Sequence, residues 1–421
     1  MIGFILADLR RHWGGSCVVV LLVALSVALG VAVTLQERAL RLGSARAADK
    51  FDLVIGAAGS ETQLVLSSVF LQASPLPLME GSVLAKLSTD PRVAWAAPIG
   101  FGDSFAGYPV VGTTTTLVSN ISAGLQEGRV FAREGEAVIG AMVAMPLGTI
   151  IKPMHGTAEE GGKTHTELAY TVSGRLLPTG TAWDKAILVP IQAVWHIHGM
   201  GEDHHEEAEG GIAPSFDADD HDNHDHDGVA SPDAPLKETW TDHMPGLPAI
   251  LVKPRTIADA YRLRQDYRAG PTLAVFPGEV LTRLYGTLGD AKLVLFAVAV
   301  STQVLIAAAL LLVTVIHVGQ RRRQIGALRA FGAPRTALFA IVWLELFILI
   351  ALGVGLGFLI GFAGSVAIAN VMSSDSGVTL PVAFEMQDIV FAALLLASAA
   401  ILAALPAFIA YRQPPAAALR S

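Results

Sequence analysis

The stretch RRRQIGALRAFGAPRTAL occupies residues 321–338 and separates two long apolar runs of the chain. Ile325, Leu328 and Phe331 recur at helical spacing, and Gly332 is suited to end a helix. We therefore expect a short, basic, amphipathic helix between two membrane spans. Such a helix can lie on a membrane surface and enter a groove of a partner protein. The simpler alternative is a basic loop that only sets the topology of the chain.

The composition is typical of a membrane protein that carries a large soluble part. The chain has 421 residues, of which 52% are hydrophobic and 16% charged, and its mean hydropathy is +0.52. A soluble protein usually has about 25% charged residues. No basic face is evident in the soluble part, so we expect no nucleic-acid partner.

Four apolar runs are long enough to cross a bilayer core of about 30 Å as helices. The third run is over-long and rich in glycine, so we expect it to tilt, kink or project beyond the bilayer. A cleaved signal peptide is an alternative for the first run, but its apolar core exceeds the typical length of about 7–15 residues. The predicted spans are 16–35, 293–318, 337–369 and 389–411.

The orientation of the spans follows from the arginines at their ends. Arg10 and Arg11 precede the first span, five arginines lie between the second and third, and residues 370–388 contain neither lysine nor arginine. Positively charged loops stay in the cytoplasm. We expect both termini and residues 321–335 in the cytoplasm, and residues 37–290 on the outer side of the membrane; the resemblance described below places the chain in a bacterial inner membrane, with that domain in the periplasm.

The segment between the first two spans is expected to be a mixed α/β (α+β) domain. Residues 257–269 have helical spacing, and residues 36–48 and 277–292 are charged helix formers that could extend the membrane helices as stalks. The fold class is therefore four transmembrane helices (residues 1–36 and 291–421) with a large extracytoplasmic domain between the first two. The β-rich runs are FDLVIGA, YPVVGTTTT, AYTVSGRLLP and AILVPI.

Residues 196–243 form an acidic insert of low complexity. They contain fourteen acidic residues and one base, Lys237. Removing this segment, with its charge of −13, from a chain of charge −8 leaves +5, so the acidity belongs to the insert alone. A segment of this composition cannot bury enough apolar surface to fold by itself. We expect a disordered loop.

The same insert is dense in metal-binding side chains. Imidazole and carboxylate are both zinc ligands, and a mobile chain can wrap them around an ion. A solvated acidic loop that binds ions only loosely is the alternative, and His155 and His165 are expected to be ordinary surface residues. The tentative ligands are His196, His198, His204, His205, His221, His224 and His226, with His243 at the end of the insert.

Two catalytic motifs are incomplete in this sequence. His205-Glu206 lacks the second histidine that a zinc-hydrolase helix requires four residues after the first. The run GTAEEGGKT at residues 156–164 misplaces the first glycine of a phosphate-binding loop. We expect neither a metalloenzyme nor an ATPase in this chain.

The third span carries a glycine series and an acid. Gly353, Gly355, Gly357, Gly361 and Gly364 predict close helix packing, because small residues let membrane helices approach each other. An intramembrane carboxylate such as Glu345 is often functional. A carboxyl group near the interface, or one hydrogen-bonded within the bundle, is the alternative for Glu345.

Residues 321–338 resemble the coupling-helix motif of MacB/FtsX/LolE-type ABC transporter permeases. Gln324 replaces the glutamate common there, and Phe331 the isoleucine. The ending PAFIAYRQPPAAALR and the order of one span, a large outward domain and three spans are similar too, as are DLVIGAAGSETQLVLSSVF and FGDSFAGYPVVGTT to a MacB-like outward core. The residues that the resemblance assigns to contact with an ATPase are Arg322, Arg323, Ile325, Gly326, Leu328, Arg329, Phe331, Gly332 and Ala333.

The resemblance implies a permease that works as a homodimer with a separate cytoplasmic ABC ATPase, which binds ATP and Mg²⁺. Nucleotide binding and release would move the membrane helices and, through the stalks, the outward domain, where a periplasmic or outer-membrane partner could act. Three functions remain open: substrate export or extraction, with a link to zinc or another metal; FtsX-like signalling to a periplasmic hydrolase; and ATPase-independent metal binding. FtsX-type outward domains are generally smaller, which favours transport.

Overall fold

The computed structural model describes residues 9–11, 13–72, 74–155, 168–200, 231–286 and 334–412, together with positions 293, 297, 300, 301, 304 and 308. The chain divides into two compact units. The helical unit comprises Met1–Leu42, Gly286–Val371 and Leu380–Ser421, and the sheet unit comprises Gly43–Tyr285 and Met372–Thr379.

The sheet unit contains short helices and strands, whereas the helical unit contains long helices. The α-helices are α1 (Trp13–Ala48), α2 (Glu61–Ser68), α3 (Ser82–Thr89), α4 (Thr115–Ile121), α5 (Ile191–Ile197), α6 (Ile257–Arg268), α7 (Arg335–Ser376) and α8 (Met386–Arg412). The strands are β1 (Leu53–Ala57), β2 (Val93–Phe105), β3 (Tyr108–Thr113), β4 (Leu125–Gly128), β5 (Glu136–Ile139), β6 (Ile150–Ile151), β7 (Met154–His155), β8 (Tyr170–Leu176), β9 (Ile187–Pro190), β10 (Ala249–Pro254) and β11 (Thr272–Val275). Residues 277–286 are also helical.

Among the described residues, three helices are long and apolar enough to cross a membrane: Trp13–Ala48, Phe339–Ser376 and Met386–Leu405. They correspond to the first, third and fourth predicted spans. The second, 293–318, lies almost wholly outside the described residues and stays a prediction. At about 1.5 Å per residue, the 42 residues of α7 extend about 63 Å, twice a bilayer core of about 30 Å. The third span is therefore long enough to project beyond the bilayer.

Three glycines at intervals of four residues on one face of α7 touch α1. A Cβ atom at Gly353 would lie 2.7 Å from the Cβ of Val23, one at Gly357 would lie 2.6 Å from the Cβ of Val27, and one at Gly361 would lie 2.8 Å from a backbone oxygen of α1. Those distances leave no room for a side chain. The predicted role of these glycines in close helix packing is confirmed.

Gly355 and Gly364, the other two members of the series, have no atom within 4 Å of a built Cβ. They lie on a different face of α7, and for them the packing prediction stays a prediction. The glycine seam of α1 and α7 thus consists of Gly353, Gly357 and Gly361.

A buried ion pair joins α1 to the first turn of α8 in the helical unit. The guanidinium of Arg38 donates to Asp388 Oδ2 at 2.8 Å and to Oδ1 at 3.2 Å. It also lies 3.7 Å from Glu385. The side chains of Arg38 and Asp388 are only 8% and 10% exposed. Because each charge neutralises the other through two hydrogen bonds, the pair can remain buried.

The sheet unit contains one mixed 11-stranded sheet, which confirms the predicted α/β class for this part of the chain. Its order is β11-β1-β10-β2-β3-β9-β5-β8-β4, with β6 on β8 and β7 on β2. The pairs β3–β9 and β5–β8 are parallel, and the other pairs are antiparallel. The four predicted β-rich runs form β1, β3, β8 and β9.

The sheet unit has a continuous apolar interior. One cluster is built around Trp183 and Val54, a second around Leu84 and Ile250, and a third around Tyr170, all of them fully buried or nearly so. The third cluster includes Val194 and Ile197 of α5 and so holds this short helix against the sheet. It thereby positions the histidines at the end of α5.

Candidate functional site

The predicted coupling segment is only partly described. Pro334 precedes α7, and Arg335 is its first residue. The assigned contact residues Arg322, Arg323, Ile325, Gly326, Leu328, Arg329, Phe331, Gly332 and Ala333 all lie outside the described residues. Their role in contacting an ATPase stays a prediction.

The last turn of α7 belongs to the sheet unit and is held there by Lys185. The Lys185 ammonium donates to the carbonyl oxygens of Ser374 at 2.9 Å and Asp375 at 3.2 Å. A cation at this end complements the negative end of the helix dipole. Gly377 follows with φ +74°, and its N–H donates to the Ser373 carbonyl at 2.9 Å, which ends the helix.

A buried carboxylate shapes the turn that receives this helix end. Asp184 is 2% exposed and accepts hydrogen bonds from the N–H of Thr179 at 2.7 Å and of Gly180 at 2.7 Å. The Gly180 carbonyl in turn accepts from the N–H of Thr379 at 3.2 Å. The sequence reasoning missed this attachment, because a Lys and an Asp within a short loop carry no recognisable motif.

Helix α1 also continues into the sheet unit, since its residues 43–48 are assigned there. Residues 277–286 are helical on the other flank. The predicted helical extension of the first span is confirmed, and residues 287–292 lie outside the described part of the chain. Residues 43–48 of α1 and residues 372–376 of α7 are therefore assigned to the sheet unit.

Two of the tentative metal ligands, His196 and His198, lie at the end of α5, so the ordered structure extends further into the acidic segment than the sequence indicated. His196 Nδ1 lies 2.9 Å from Glu134 Oε2, an ordinary hydrogen-bond length. His204, His205, His221, His224 and His226 lie outside the described residues.

The far end of the predicted insert is also packed. The Glu238 carboxylate accepts from the N–H and the hydroxyl of Thr115, each at 2.6 Å, and Trp240 meets the ring of Trp195 edge to face. Residues 231–243 are thus part of the sheet unit. The predicted disordered loop can concern only residues 201–230, which the structure does not describe.

His198 meets Asp103 and His155 in a cluster of three metal-binding side chains. One ligand atom from each residue lies within 4.8 Å of the other two. Asp103 comes from β2, His155 from β7, and His198 follows α5, and the β2–β7 ladder pairs Asp103 directly with His155. His155 is 51% exposed, as expected of a surface residue, but the strand pairing also places it beside the buried carboxylate of Asp103.

Tyr170 on β8 lies in the same part of the sheet unit. It is fully buried, and its hydroxyl has no hydrogen-bond partner among the described residues. Burial raises the pKa of Tyr170 far above its usual range, and the negative charges of Asp103 and Glu134 raise it further. The hydroxyl is therefore a permanent donor close to two carboxylates.

Glu345 lies within α7 at intermediate burial and is engaged in a polar or electrostatic contact. This placement suits both of the interpretations given to it from the sequence. A functional role for Glu345 stays a prediction.

The C-terminal part of the chain, residues 296–416, matches the family model described as "FtsX-like permease C-terminal". This match includes residues 321–338 and two of the three apolar helices. It confirms the predicted resemblance to MacB/FtsX-type ABC transporter permeases. Residues 296–416 are accordingly similar to the C-terminal part of FtsX-like permeases.

Two solved structures are similar to part of the chain. The periplasmic region of MacB from Actinobacillus actinomycetemcomitans covers 56% of this chain and 95% of its own length, at 10% identity and a TM-score of 0.32. The extracellular domain of YknZ, a noncanonic ABC-type transporter from Gram-positive bacteria, covers 53% of this chain and 98% of its own length, at 11% identity and a TM-score of 0.28. No curated protein sequence matches the chain.

Proposed function

We propose that this chain is the permease subunit of an ABC transporter and that it couples ATP hydrolysis on a separate ATPase to movement of its sheet unit. The observation that carries the proposal is the family match over residues 296–416, which contains the basic segment 321–335. In this proposal the segment is a coupling helix in the cytoplasm. Its arginines and the glycines Gly326 and Gly332 fit a groove of the ATPase.

The helices support a mechanical route for the coupling. Helix α7 starts at Arg335, directly after the proposed coupling helix, and continues without a break to Ser376, where Lys185 holds its last turn. An unbroken helix passes a displacement at one end to the other. The ATPase can drive this movement only if it binds ATP more tightly in one conformation of the permease than in the other.

The arrangement in the membrane follows from the same proposal. Both termini face the cytoplasm of a bacterial cell, the sheet unit faces the periplasm, and residues 293–318 form the second of four spans. The permease works as a homodimer, ATP and Mg²⁺ bind to the ATPase, and a periplasmic or outer-membrane partner can receive the substrate. The large sheet unit, Gly43–Tyr285, supports substrate export or extraction over signalling to a hydrolase.

A charge reversal in the coupling helix tests the proposal. The full chain is purified in lipid nanodiscs with the ABC-type ATPase that co-purifies with it, and ATP turnover is measured. Arg329→Glu is expected to abolish the part of the turnover that depends on the permease, because it reverses a charge at the proposed interface. Arg262→Glu on the exposed part of α6 makes the same charge change and is expected to leave turnover unchanged.

Two results would overturn the coupling proposal. One is purification of the chain without any protein that carries an ATPase nucleotide motif. The other is equal assembly and equal ATP turnover for Arg329→Glu and Arg262→Glu.

A further inference from the structure

We propose that Asp103, His155 and His198 form a binding site for a divalent transition-metal ion of the Zn²⁺ class. The site is distinct from the histidine-rich run, since two of its three ligands lie far before that run in the sequence. It also does not depend on the proposed coupling to an ATPase.

The distances within the cluster suit an ion better than direct hydrogen bonds. His155 Nδ1 lies 3.4 Å from Asp103 Oδ1, and His198 Nε2 lies 3.4 Å from Asp103 Oδ2. Ligands of tetrahedral zinc, with bonds of about 2.0–2.1 Å, lie about 3.3–3.4 Å apart. A charge-assisted hydrogen bond would be about 2.7–2.9 Å long.

The pair of His196 and Glu134 serves as an internal comparison. It joins the same two kinds of side chain in the same unit, at 2.9 Å. Two groups that satisfy each other by a hydrogen bond approach to this distance. The wider spacing around Asp103 is what a metal ion between the ligands would require.

The donor set selects the class of ion. Two imidazoles and one carboxylate are ligands of Zn²⁺ and of related first-row divalent ions. Ca²⁺ and Mg²⁺ prefer sites built from oxygen ligands and are poorly matched by two imidazoles. We therefore assign the site to the zinc class.

Burial increases from one side of the cluster to the other. The side chain of Asp103 is 4% exposed, that of His198 23% and that of His155 51%. The carboxylate thus lies at the floor and the imidazoles at the mouth of the site. An ion can enter from solvent past His155, and the exposed side leaves a coordination position for water or for a ligand atom of a substrate.

The surroundings of the cluster are also polar. A cation held by the three ligands would interact favourably with the buried carboxylate of Asp103. The buried hydroxyl of Tyr170, which feels the charge of Asp103, has no hydrogen-bond partner among the described residues.

Spectroscopic titration with Co²⁺ tests the site directly. The full chain in nanodiscs, with residues 201–230 replaced by a short glycine-serine linker, keeps all three ligands and lacks the competing histidines of the run. We expect one Co²⁺ per chain with the intense visible absorption of a tetrahedral ion, and displacement of Co²⁺ by Zn²⁺.

Matched histidine variants identify the ligands. His155→Asn is expected to weaken Zn²⁺ binding by more than about 10-fold, since changes around metal ligands cost about 10–100-fold even one step further from the ion. His155 is half exposed, so its replacement is compatible with folding. His243→Asn removes an exposed histidine of the same unit and is expected to leave the affinity unchanged.

Two results would contradict the proposed metal site. No saturable Co²⁺ binding, or equal Zn²⁺ affinity for His155→Asn and His243→Asn, would overturn the assignment. Thermal unfolding without metal shows whether each variant is folded. The measurement needs no ATPase, so a failed coupling experiment and a failed metal site are told apart.

Discussion

The helical unit and the sheet unit each bury a carboxylate, but they surround it differently. Asp388 is held by the guanidinium of Arg38 through two hydrogen bonds, the shorter of 2.8 Å. Asp103 faces two imidazole nitrogens at 3.4 Å. The first group is complete, because cation and anion are both protein side chains. The second brings together three side chains that can bind a metal ion, and there we propose the metal site.

This difference teaches how to separate a structural charge cluster from a binding site. Both involve buried acids and residues distant in sequence, so burial alone does not distinguish them. The two are distinguished by the distance from the carboxylate to the neighbouring nitrogen atoms and by whether the neighbouring side chain carries a permanent positive charge. The predictions below change one feature at a time and run from the largest expected effect to the smallest.

Removing one partner of the buried Arg38–Asp388 ion pair should have the largest effect on stability. Arg38→Met leaves Asp388 buried without its cation, and removal of one partner of a buried pair costs about 3–5 kcal/mol. Denaturant unfolding of the full chain in detergent micelles measures this loss. The double variant Arg38→Met with Asp388→Leu is expected to recover much of it, because no unpaired charge remains.

Arg41 provides the matched control for Arg38. It lies on the same helix, is 52% exposed and pairs with Glu37 at 3.5 Å. An exposed pair of this kind contributes about 0.5 kcal/mol or less. If Arg41→Met and Arg38→Met destabilise the chain equally, the buried Arg38–Asp388 pair contributes no more to stability than an exposed ion pair does.

Substitution in the glycine seam tests how much the close packing of α1 and α7 contributes to stability. Gly357→Ala places a methyl group 2.6 Å from the Cβ of Val27 and 2.7 Å from the Ala24 carbonyl oxygen. Overpacking of this kind costs about 1–3 kcal/mol. The same unfolding measurement is expected to show this loss.

Gly355 is the control on the same helix. Its built Cβ has no neighbour within 4 Å, so Gly355→Ala is expected to be neutral or to stabilise the helix by up to about 1 kcal/mol. Equal losses for the two alanine variants would show that the seam does not discriminate between the faces of α7.

The smallest effect concerns an ion pair at the surface of the sheet unit. Arg92 donates to Asp90 at 2.7 Å and to Asp266 at 2.8 Å, and its hydrogen bonds lower the pKa of Asp90. The stabilisation is therefore complete above the unfolded-state pKa of about 4 and is lost as the pH falls through the lower folded-state value. Because the site is partly exposed, we expect at most about 1 kcal/mol.

Comparison of the wild type with Asp90→Asn over a series of pH values measures this contribution. The difference in unfolding free energy is expected to be constant near neutral pH and to decrease below about pH 4. A difference that grows as the pH falls would contradict the lowered pKa of Asp90.

Local sequence patterns predicted the helices and strands better than they predicted which face of each becomes buried. The spacing in residues 257–269 indicated α6, which the structure confirms. Yet Leu263 is its fully buried residue, whereas Ile257 and Tyr261 are 79% and 59% exposed. Helical periodicity is a property of a short segment, but the face that becomes buried depends on the strands beneath it.

The sequence by itself determined the apolar helices, the mixed sheet class and the resemblance to FtsX-like permeases, because hydrophobic length, alternation and a contiguous motif are local properties. Only the tertiary structure decided which glycines of α7 touch α1 and which histidine approaches Asp103. Asp103 and His155 are 52 positions apart and meet through the register of two paired strands. Residues brought together by strand pairing share no local pattern, so no reading of one segment could have joined them.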